Sequence, residues 1–274
     1  MYKALIFSDL DGTLLHYKTF NFDILINYIQ YLEKNGYLLI PISSKTNNEI
    51  ISIIKKIGIN LPFSVENGSC SYIPRDFIKN KKKRFVYNKI ESKNAKNIKY
   101  INKIINSKKF ELFRKKLKIL SNLNYQEITK ITSLKHNDID SFLNREFSIP
   151  IIWFGNKVQL RTFTKELNKH KLDINFGGKI YNISGMSKKI DGIKVITNYL
   201  KKGLLIKNRF FTIGVGDSEN DINMLEYTDY SAIIKKHDGT HLNLKSKNVY
   251  AKSTKIAPLG WKEVITKIYK KMEK

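Results

Sequence analysis

The sequence has little cysteine, little proline and no long apolar segment. Its 274 residues include one cysteine, Cys70, and five prolines. A single cysteine excludes an internal disulfide and is typical of proteins from a reducing compartment. No stretch approaches the ~18 apolar residues that a membrane-spanning helix requires, and Asp9 interrupts the first apolar run too early for a secretory signal. We therefore expect a soluble cytoplasmic protein with no membrane partner.

Acidic residues are also scarce, because 24 Asp and Glu stand against 50 Lys and Arg and give a formal net charge of +26. Such an excess permits binding to nucleic acid, a membrane surface or an acidic small molecule. The lysines are dispersed along the chain, so we interpret most of the charge as biased composition and do not expect a nucleic-acid partner. An apolar fraction of 42% indicates a globular chain, long enough for one large or two modest domains. Nothing in the sequence indicates an oligomeric state.

Two of the few acidic residues directly follow the first apolar segment. Residues 4–7 predict a buried strand of a parallel sheet, and Asp9 and Asp11 come just after it. Open α/β sheets bind their ligands at the carboxyl ends of the strands, and Gly12 permits a sharp turn where a phosphate can approach closely. Neighbouring carboxylates repel each other unless a cation lies between them or one keeps its proton. The alternative is an ordinary solvated turn.

A second acidic loop occurs at residues 216–221, after another apolar segment. Residues 210–213 predict a strand, and residues 220–225 predict the beginning of a helix. The Asp-x-Asp-Gly-Thr of residues 9–13 and the Gly-Asp-Ser-x-Asn-Asp of residues 216–221 resemble the first and fourth motifs of haloacid dehalogenase superfamily phosphatases. Either motif alone is moderately specific. The two motifs in this order, each after a strand, are strongly specific.

The apolar spacing predicts an α/β fold in which a Rossmann-like parallel-sheet core, residues 1–83 and 184–274, carries an inserted α+β cap domain, residues 84–183. In the core we predict strands over 37–42, 63–65, 231–234 and 248–251, and helices over 22–35, from the N-cap Asn47 to 57, through 193–200 and from Gly260. In the cap we predict a strand at 85–87, a Lys-rich helix over 98–120, helices from near Tyr125 and over 137–144, and strands within 149–154 and 172–183. The basic run of residues 79–84 is interpreted as a linker or hinge.

Further motifs resemble those of mannosyl-3-phosphoglycerate phosphatases along nearly the whole chain, except around residues 88–120. They are Ser-Ser-Lys-Thr-x-x-Glu at 43–49, Glu-Asn-Gly at 66–68, Arg-Glu-Phe-Ser-x-Pro at 145–150 followed by Trp153, Gly-Gly-Lys-Ile-Tyr at 177–181, Asp-Gly at 238–239 and Ala-Pro-x-Gly-Trp at 257–261. A His and an Arg common in that family are replaced by Asn182 and Lys179. The resemblance implies a Mg²⁺-dependent hydrolase that releases phosphate from mannosyl-3-phosphoglycerate. Glucosyl-3-phosphoglycerate or another sugar phosphate is the alternative substrate.

The resemblance also implies catalytic and metal-binding residues. Asp9 is the expected nucleophile, which forms an aspartyl-phosphate, and Asp11 the expected general acid and base. The implied Mg²⁺ ligands are Asp9, Asp11 through its carbonyl, and Asp217. Asp221 is either a further ligand or a partner of the ligands.

Phosphate or substrate contacts are expected from Ser43, Ser44, Lys189, Asn220, Arg145 and Lys179. Alternatives stay open for several of them. Ser43 and Ser44 could serve only as helix caps, Lys188 is the other candidate for the phosphate-binding lysine, and Arg145 could pair with Glu146 or another acidic residue of the cap. A more remote alternative for the whole chain is an inactive phosphatase fold that binds nucleic acid, whose affinity would fall steeply with salt.

Overall fold

The computed structural model describes residues 1–75, 86–177, 180–203 and 206–273, and no side chain is described for residues 207–209. Three features predicted from the sequence lie outside the described residues. They are the basic linker at 79–84, Phe85 of the predicted strand, and Lys179 of the predicted site.

The described part of the chain contains both strands and helices. The strands are β1 (Tyr2–Ser8), β2 (Tyr37–Pro41), β3 (Phe63–Val65), β4 (Cys70–Pro74), β5 (Tyr87–Glu91), β6 (Leu117–Ile119), β7 (Ser148–Trp153), β8 (Leu172–Phe176), β9 (Tyr181–Gly185), β10 (Ile206–Gly216), β11 (Tyr230–Lys235) and β12 (Val249–Ile256). The α-helices are α1 (Ile26–Lys34), α2 (Asn47–Ile57), α3 (Ile98–Ile105), α4 (Glu111–Arg114), α5 (Tyr125–Thr132), α6 (Ile139–Leu143), α7 (Lys157–Asn168), α8 (Lys189–Lys202), α9 (Ile222–Tyr227) and α10 (Leu259–Met272).

A five-stranded parallel sheet with the order β12-β11-β10-β1-β2 forms the centre of the fold. The inner strands read as continuous apolar runs because helices cover both faces of such a sheet. Ser8 at the end of β1 pairs with Val215 near the end of β10. The two acidic loops therefore leave the sheet side by side, and the predicted α/β fold with a parallel-sheet core is confirmed.

Two antiparallel sheets accompany the parallel one. Strands β3, β4 and β5 form a three-stranded sheet, which continues from β2 through a bridge between Ile42 and Ser64. Strands β6, β7, β9 and β8 form a four-stranded sheet in that order, with its own apolar cluster that includes Ile101, Phe110 and Phe163. The division at 83/84 and 183/184 stays a prediction.

Three predicted details differ from the structure. The N-cap of α2 is Thr46 rather than Asn47, because the Thr46 hydroxyl accepts the Glu49 amide while the Glu49 carboxylate accepts the Thr46 amide. The Lys-rich segment 98–120 is not one helix but α3, α4 and β6. The Arg114 guanidinium donates hydrogen bonds to the carbonyls of Ile105 and Ser107 and so satisfies them where α3 ends. Neither helix α7 nor strand β4 was predicted.

No helix in the described part of the chain is long and apolar enough to cross a membrane.

Candidate active site

Lys189 joins the two acidic loops. It is the first residue of α8, its side chain is fully buried, and its ammonium lies 2.5 Å from Oδ1 of Asp9 and 2.6 Å from Oδ1 of Asp221. Neighbouring Lys188 is exposed. Burial by itself would lower the pKa of the Lys189 ammonium, but the Asp221 and Asp9 carboxylates outweigh it and raise that pKa above its ordinary value. Of the two adjacent lysines, only Lys189 contacts the aspartates.

Asp221 organises the second acidic loop. Its carboxylate is fully buried, and Oδ2 accepts the backbone amides of Asp217 and Ser218, each at 3.0 Å. Gly216 is required beside it, because a Cβ at that position would lie 2.5 Å from the Asp221 side chain. Asp221 therefore fixes the loop that carries Asp217, and the short Glu219–Asp221 turn leads directly into α9.

Asp217 completes an acidic cluster. Oxygen atoms of Asp9, Asp217 and Asp221 lie within 4.8 Å of one another, and Oδ1 of Asp217 accepts the Thr13 hydroxyl at 2.9 Å. Three carboxylates around one lysine leave an excess of negative charge, and carboxylates are the ligands that Mg²⁺ prefers. The residues present therefore fit a divalent cation.

The carboxyl pKa values reflect the crowding. Burial raises the pKa of Asp9 to about 8, with Lys189 opposing the shift and the Asp221 and Asp217 carboxylates adding to it. Burial, together with Asp221, raises the pKa of Asp217 to about 6. A bound cation would favour the ionised form of both groups.

Asp11 lies apart from the acidic cluster and faces a different lysine. Its Oδ2 is 3.1 Å from the Lys45 ammonium, which is also 3.3 Å from Glu49. Oδ1 of Asp11 is buried and has no hydrogen-bond partner among the described residues. Burial alone would lower the pKa of Lys45, but the Asp11 and Glu49 carboxylates raise it overall. The Asp11 carboxylate is thus held at the site with one oxygen unused.

The predicted polar contacts at the end of β2 and in the second loop have local partners. The Ser43 hydroxyl is buried and accepts the Lys45 amide at 3.2 Å, whereas Thr46 caps α2. The Ser44 carbonyl accepts a hydrogen bond from Arg145 at 3.2 Å. The Asn220 side chain accepts the Ser218 hydroxyl at 2.6 Å.

Arg145 does not pair with Glu146. Its Nη1 donates to the Ser44 carbonyl and to the Ser148 hydroxyl, and its guanidinium lies over the Phe142 ring at 4.7 Å. Glu146 instead pairs with Lys89 at 2.5 Å. The Nε of Arg145 is buried and finds no acceptor in the described part of the chain.

A cavity of about 280 Å³ lies where these groups converge. Asp11, Gly12 and Asp217 line it from the acidic loops, Lys45 and Glu49 line it from the β2–α2 region, and Arg145 lines it from the segment before β7. Apolar side chains complete the wall, including Phe20, Leu134, Phe142 and Ile180. One cavity therefore combines acidic, basic and apolar surfaces.

Comparison with known proteins identifies the family. The haloacid dehalogenase-like hydrolase profile matches residues 6–253. The chain belongs to the haloacid dehalogenase-like hydrolases. This hydrolase is 28% identical over 279 positions to the glucosyl-3-phosphoglycerate/mannosyl-3-phosphoglycerate phosphatase of Persephonella marina, with 98% of each chain covered. The predicted family resemblance is confirmed.

Solved structures share the fold of the hydrolase. The crystal structure of protein 0175 from Thermoplasma acidophilum matches with a TM-score of 0.63 and 19% identity, covering 100% of this chain and 99% of that one. A haloacid dehalogenase-like hydrolase from B. subtilis matches with a TM-score of 0.60 and 16% identity, covering 91% and 94% of the two chains. At these identities the likeness shows the fold alone.

The fold of the hydrolase brings together most of the predicted site residues and some that the sequence analysis gave no role. Asp9, Asp217, Asp221 and Lys189 form one cluster, and Asp11, Ser44 and Arg145 line the adjoining cavity. The site residues that the prediction missed are Lys45, Glu49 and Thr13. All three belong to the motifs at 9–13 and 43–49, so their positions in those motifs could have indicated a role. Which charged groups they contact is visible only in the folded structure.

Proposed function

We propose that this hydrolase is a Mg²⁺-dependent phosphatase that acts on mannosyl-3-phosphoglycerate or glucosyl-3-phosphoglycerate. The observation that carries the proposal is the array of Asp9, Lys189, Asp221 and Asp217 beside the cavity that Asp11 and Arg145 line. A nucleophilic carboxylate, a fixed ammonium and an acidic metal site are the parts that hydrolysis of a phosphate ester through an enzyme-bound intermediate needs.

In the first step, a carboxylate oxygen of Asp9 attacks phosphorus, and the bond between phosphorus and the ester oxygen breaks. Lys189 engages Oδ1 of Asp9, so Oδ2 is the attacking oxygen. Asp11 gives its proton to the departing glycerate oxygen, which leaves as a hydroxyl group.

In the second step, water attacks the phosphorus of the aspartyl-phosphate and gives its proton to Asp11. The bond between phosphorus and Asp9 breaks, which restores the Asp9 carboxylate and releases inorganic phosphate. Lys189 supplies a positive charge near the transferring group throughout, and Ser43 and Asn220 are proposed phosphate contacts.

Mg²⁺ would be held by Asp9, Asp217 and the Asp11 carbonyl, with Asp221 as a further ligand or as a support for Asp217. When bound, it neutralises charge on the phosphoryl oxygens and on the carboxylates that must approach them.

The substrate assignment draws on the Persephonella marina relative, which is named for both glycosyl-3-phosphoglycerates. Such a substrate carries a carboxylate besides its phosphate, and Arg145 lines the cavity with a guanidinium that can bind it. Arg145 forms no salt bridge among the described residues, since Glu146 pairs with Lys89 and Glu49 pairs with Lys45. Burial would raise the pKa of Glu49, but the positive charges of Lys45 and Arg145 lower it overall, so Arg145 also acts on this carboxylate. Lys179 was predicted to share this contact and stays a prediction.

Phosphate release from synthetic mannosyl- and glucosyl-3-phosphoglycerate, measured with Mg²⁺ and with EDTA, tests the proposal. We expect turnover with Mg²⁺, none with EDTA, and much weaker turnover of hexose phosphates that lack a carboxylate. Equal or better turnover of ordinary hexose phosphates would defeat the named substrates, and full activity in EDTA would defeat the metal requirement.

A further inference from the structure

Glu66, in the Glu-Asn-Gly motif at 66–68, has no part in the proposed chemistry, yet its carboxylate is buried and fully engaged. Its Oε1 accepts the Glu146 amide at 3.0 Å, and its Oε2 accepts the Phe147 amide at 3.0 Å and the Ser148 hydroxyl at 2.6 Å. All three donors belong to one segment, residues 146–148, which directly follows Arg145. A carboxylate that accepts several short hydrogen bonds holds its donors firmly.

The Glu66 backbone is tied to the site in the other direction. Glu66 and Asn67 have φ values of 46° and 56°, which residues with a side chain rarely adopt. Their amides donate to the carbonyls of Lys45 at 3.1 Å and Ser43 at 2.9 Å. The turn therefore keeps an unfavourable conformation because its amides are bound to the segment that carries Ser43 and Lys45.

The same turn packs against the beginning of α8. A Cβ added to Gly68 would lie 2.1 Å from the Lys188 carbonyl oxygen, so only glycine fits at this position. The turn at 66–68 thus contacts three segments at once, residues 43–45, 146–148 and 188–192, and Lys189 lies in the third.

A relay of hydrogen bonds connects Glu66 to Arg145. The Ser148 hydroxyl donates to Glu66 and accepts Nη1 of Arg145 at 3.0 Å. Because its proton points at a carboxylate, the Ser148 oxygen is a stronger acceptor for the guanidinium. Arg145 is 9% exposed, lines the cavity, and has a buried Nε without an acceptor among the described residues.

We infer that Glu66 is a positioning residue that, through Ser148, fixes Arg145 at the cavity wall and so makes the enzyme selective for phosphate esters with a second anionic group. This inference rests on the proposed phosphatase function. Glu66 itself touches neither the cavity nor the acidic cluster, so its loss acts on substrate affinity rather than on the attack at phosphorus.

The test compares Glu66→Gln and Ser148→Ala with the wild type on two substrates. Mannosyl-3-phosphoglycerate carries the second anionic group, and p-nitrophenyl phosphate does not. In Glu66→Gln, the side-chain NH₂ group faces hydrogen-bond donors that the carboxylate accepts in the wild type. In Ser148→Ala, the hydroxyl between Glu66 and Arg145 is lost, while the two backbone amides still donate to Glu66. We expect KM for the first substrate to rise about tenfold or more in each variant with kcat little changed, while kcat/KM for the second changes less than about threefold.

Glu263→Gln is the matched control. The Glu263 carboxylate also accepts two backbone amides and a hydroxyl, from Thr254 and Lys255, but neither α10 nor β12 contributes a residue to the wall of this cavity. We expect KM for both substrates to match the wild type in this variant. Equal losses on both substrates in Glu66→Gln and Ser148→Ala, or no loss on either, would overturn the inference.

Binding of 3-phosphoglycerate, measured by titration calorimetry with Mg²⁺ present, separates this inference from the proposed function. This probe carries a phosphate and a carboxylate and needs no turnover, so it decides the matter even if the wild type hydrolyses no glycosyl-3-phosphoglycerate. Weaker binding by about tenfold in both variants, but not in Glu263→Gln, supports the inference. Equal binding by wild type and variants, or no binding by the wild type, contradicts it.

Discussion

At the scale of single residues, the site depends on which lysine pairs with which carboxylates. Lys189 lies between Asp9 and Asp221, whereas Lys45 lies between Asp11 and Glu49. The two carboxylates of the first loop, two residues apart in sequence, thus have different cationic partners. This separation suits two different roles for them, one as the proposed nucleophile and one as the proposed acid and base.

Asp9→Asn is expected to lower phosphatase activity about a thousandfold or more, because an amide cannot form the aspartyl-phosphate. The fold should persist, since an amide can still occupy the position beside Lys189. Phosphate release measures the activity, and far-ultraviolet circular dichroism measures the fold. Exposed Asp138 supplies the control variant Asp138→Asn, which should keep wild-type activity. Full activity in Asp9→Asn would refute the nucleophile.

Lys189→Met is expected to lower both activity and stability, whereas Lys188→Met should change neither appreciably. The first substitution leaves buried Asp9 and Asp221 without their cation, at a cost of about 3 kcal/mol in metal-free protein, and removes the positive charge near the transferring phosphoryl group, at a cost of about a hundredfold in rate. Urea unfolding in EDTA and phosphate release with Mg²⁺ measure the two effects. Similar losses in both variants would contradict the assignment of Lys189.

At the scale of helices and strands, short apolar strands were predictable, whereas helical spacing alone was wrong for the segment 98–120. The strands that carry both acidic loops could be predicted because they are short apolar runs that end in turn residues. Helix α7 carries an Asn156–Gln159 capping box and buries Phe163 and Leu167, so the sequence held its signal although the prediction missed it. The break after α3 could not be predicted from apolar spacing, because it depends on a side-chain contact in which Arg114, nine and seven residues further on, donates to the carbonyls of Ile105 and Ser107.

The cap of α2 gives a prediction at this scale. Thr46→Ala is expected to lower the free energy of unfolding by about 1 kcal/mol, because it removes the acceptor of the Glu49 amide. Asn47→Ala, at the residue that the sequence analysis took for the cap, should change it by less than about 0.5 kcal/mol. Urea denaturation of the two variants under one condition distinguishes the positions. A larger loss in the free energy of unfolding for Asn47→Ala would instead assign the N-cap to Asn47.

At the scale of the whole molecule, the site assembles from segments that the sequence places far apart. Motif order and the rule for parallel sheets were enough to predict that Asp9 and Asp217 lie together. The contact between Glu66 and residues 146–148 was not predictable, because neither segment carries a periodic or charge signal for it. Tertiary contacts of this kind appear only in the folded chain.

Metal binding and pH should act together on global stability. The folded pKa of Asp217 is raised from 3.8 to about 6, so metal-free folded protein binds more protons than the unfolded chain between these pH values. The stability that the protonated Asp217 carboxyl contributes is complete below pH 3.8 and is lost as pH rises through about 6. Wild type should therefore lose about 1 to 2 kcal/mol relative to Asp217→Asn across that range in EDTA.

Saturating Mg²⁺ should abolish this relative loss, because binding to the folded state stabilises the ionised carboxylates. Urea unfolding of both proteins from pH 4 to pH 7, with EDTA and with Mg²⁺, measures it. A wild type that gains stability relative to Asp217→Asn over this range in EDTA would contradict the raised pKa.

The pairing of β1 with β10 has a consequence for biosynthesis. The first strand emerges from the ribosome roughly ten seconds or more before its neighbour, at elongation rates of ~5–20 residues per second. During that interval one edge of β1 has no strand to pair with, and an unpaired apolar edge invites association with other nascent chains. A product that stops before Ile206 would carry Asp9 without Asp217, so truncation should yield inactive, association-prone material rather than a weakened enzyme.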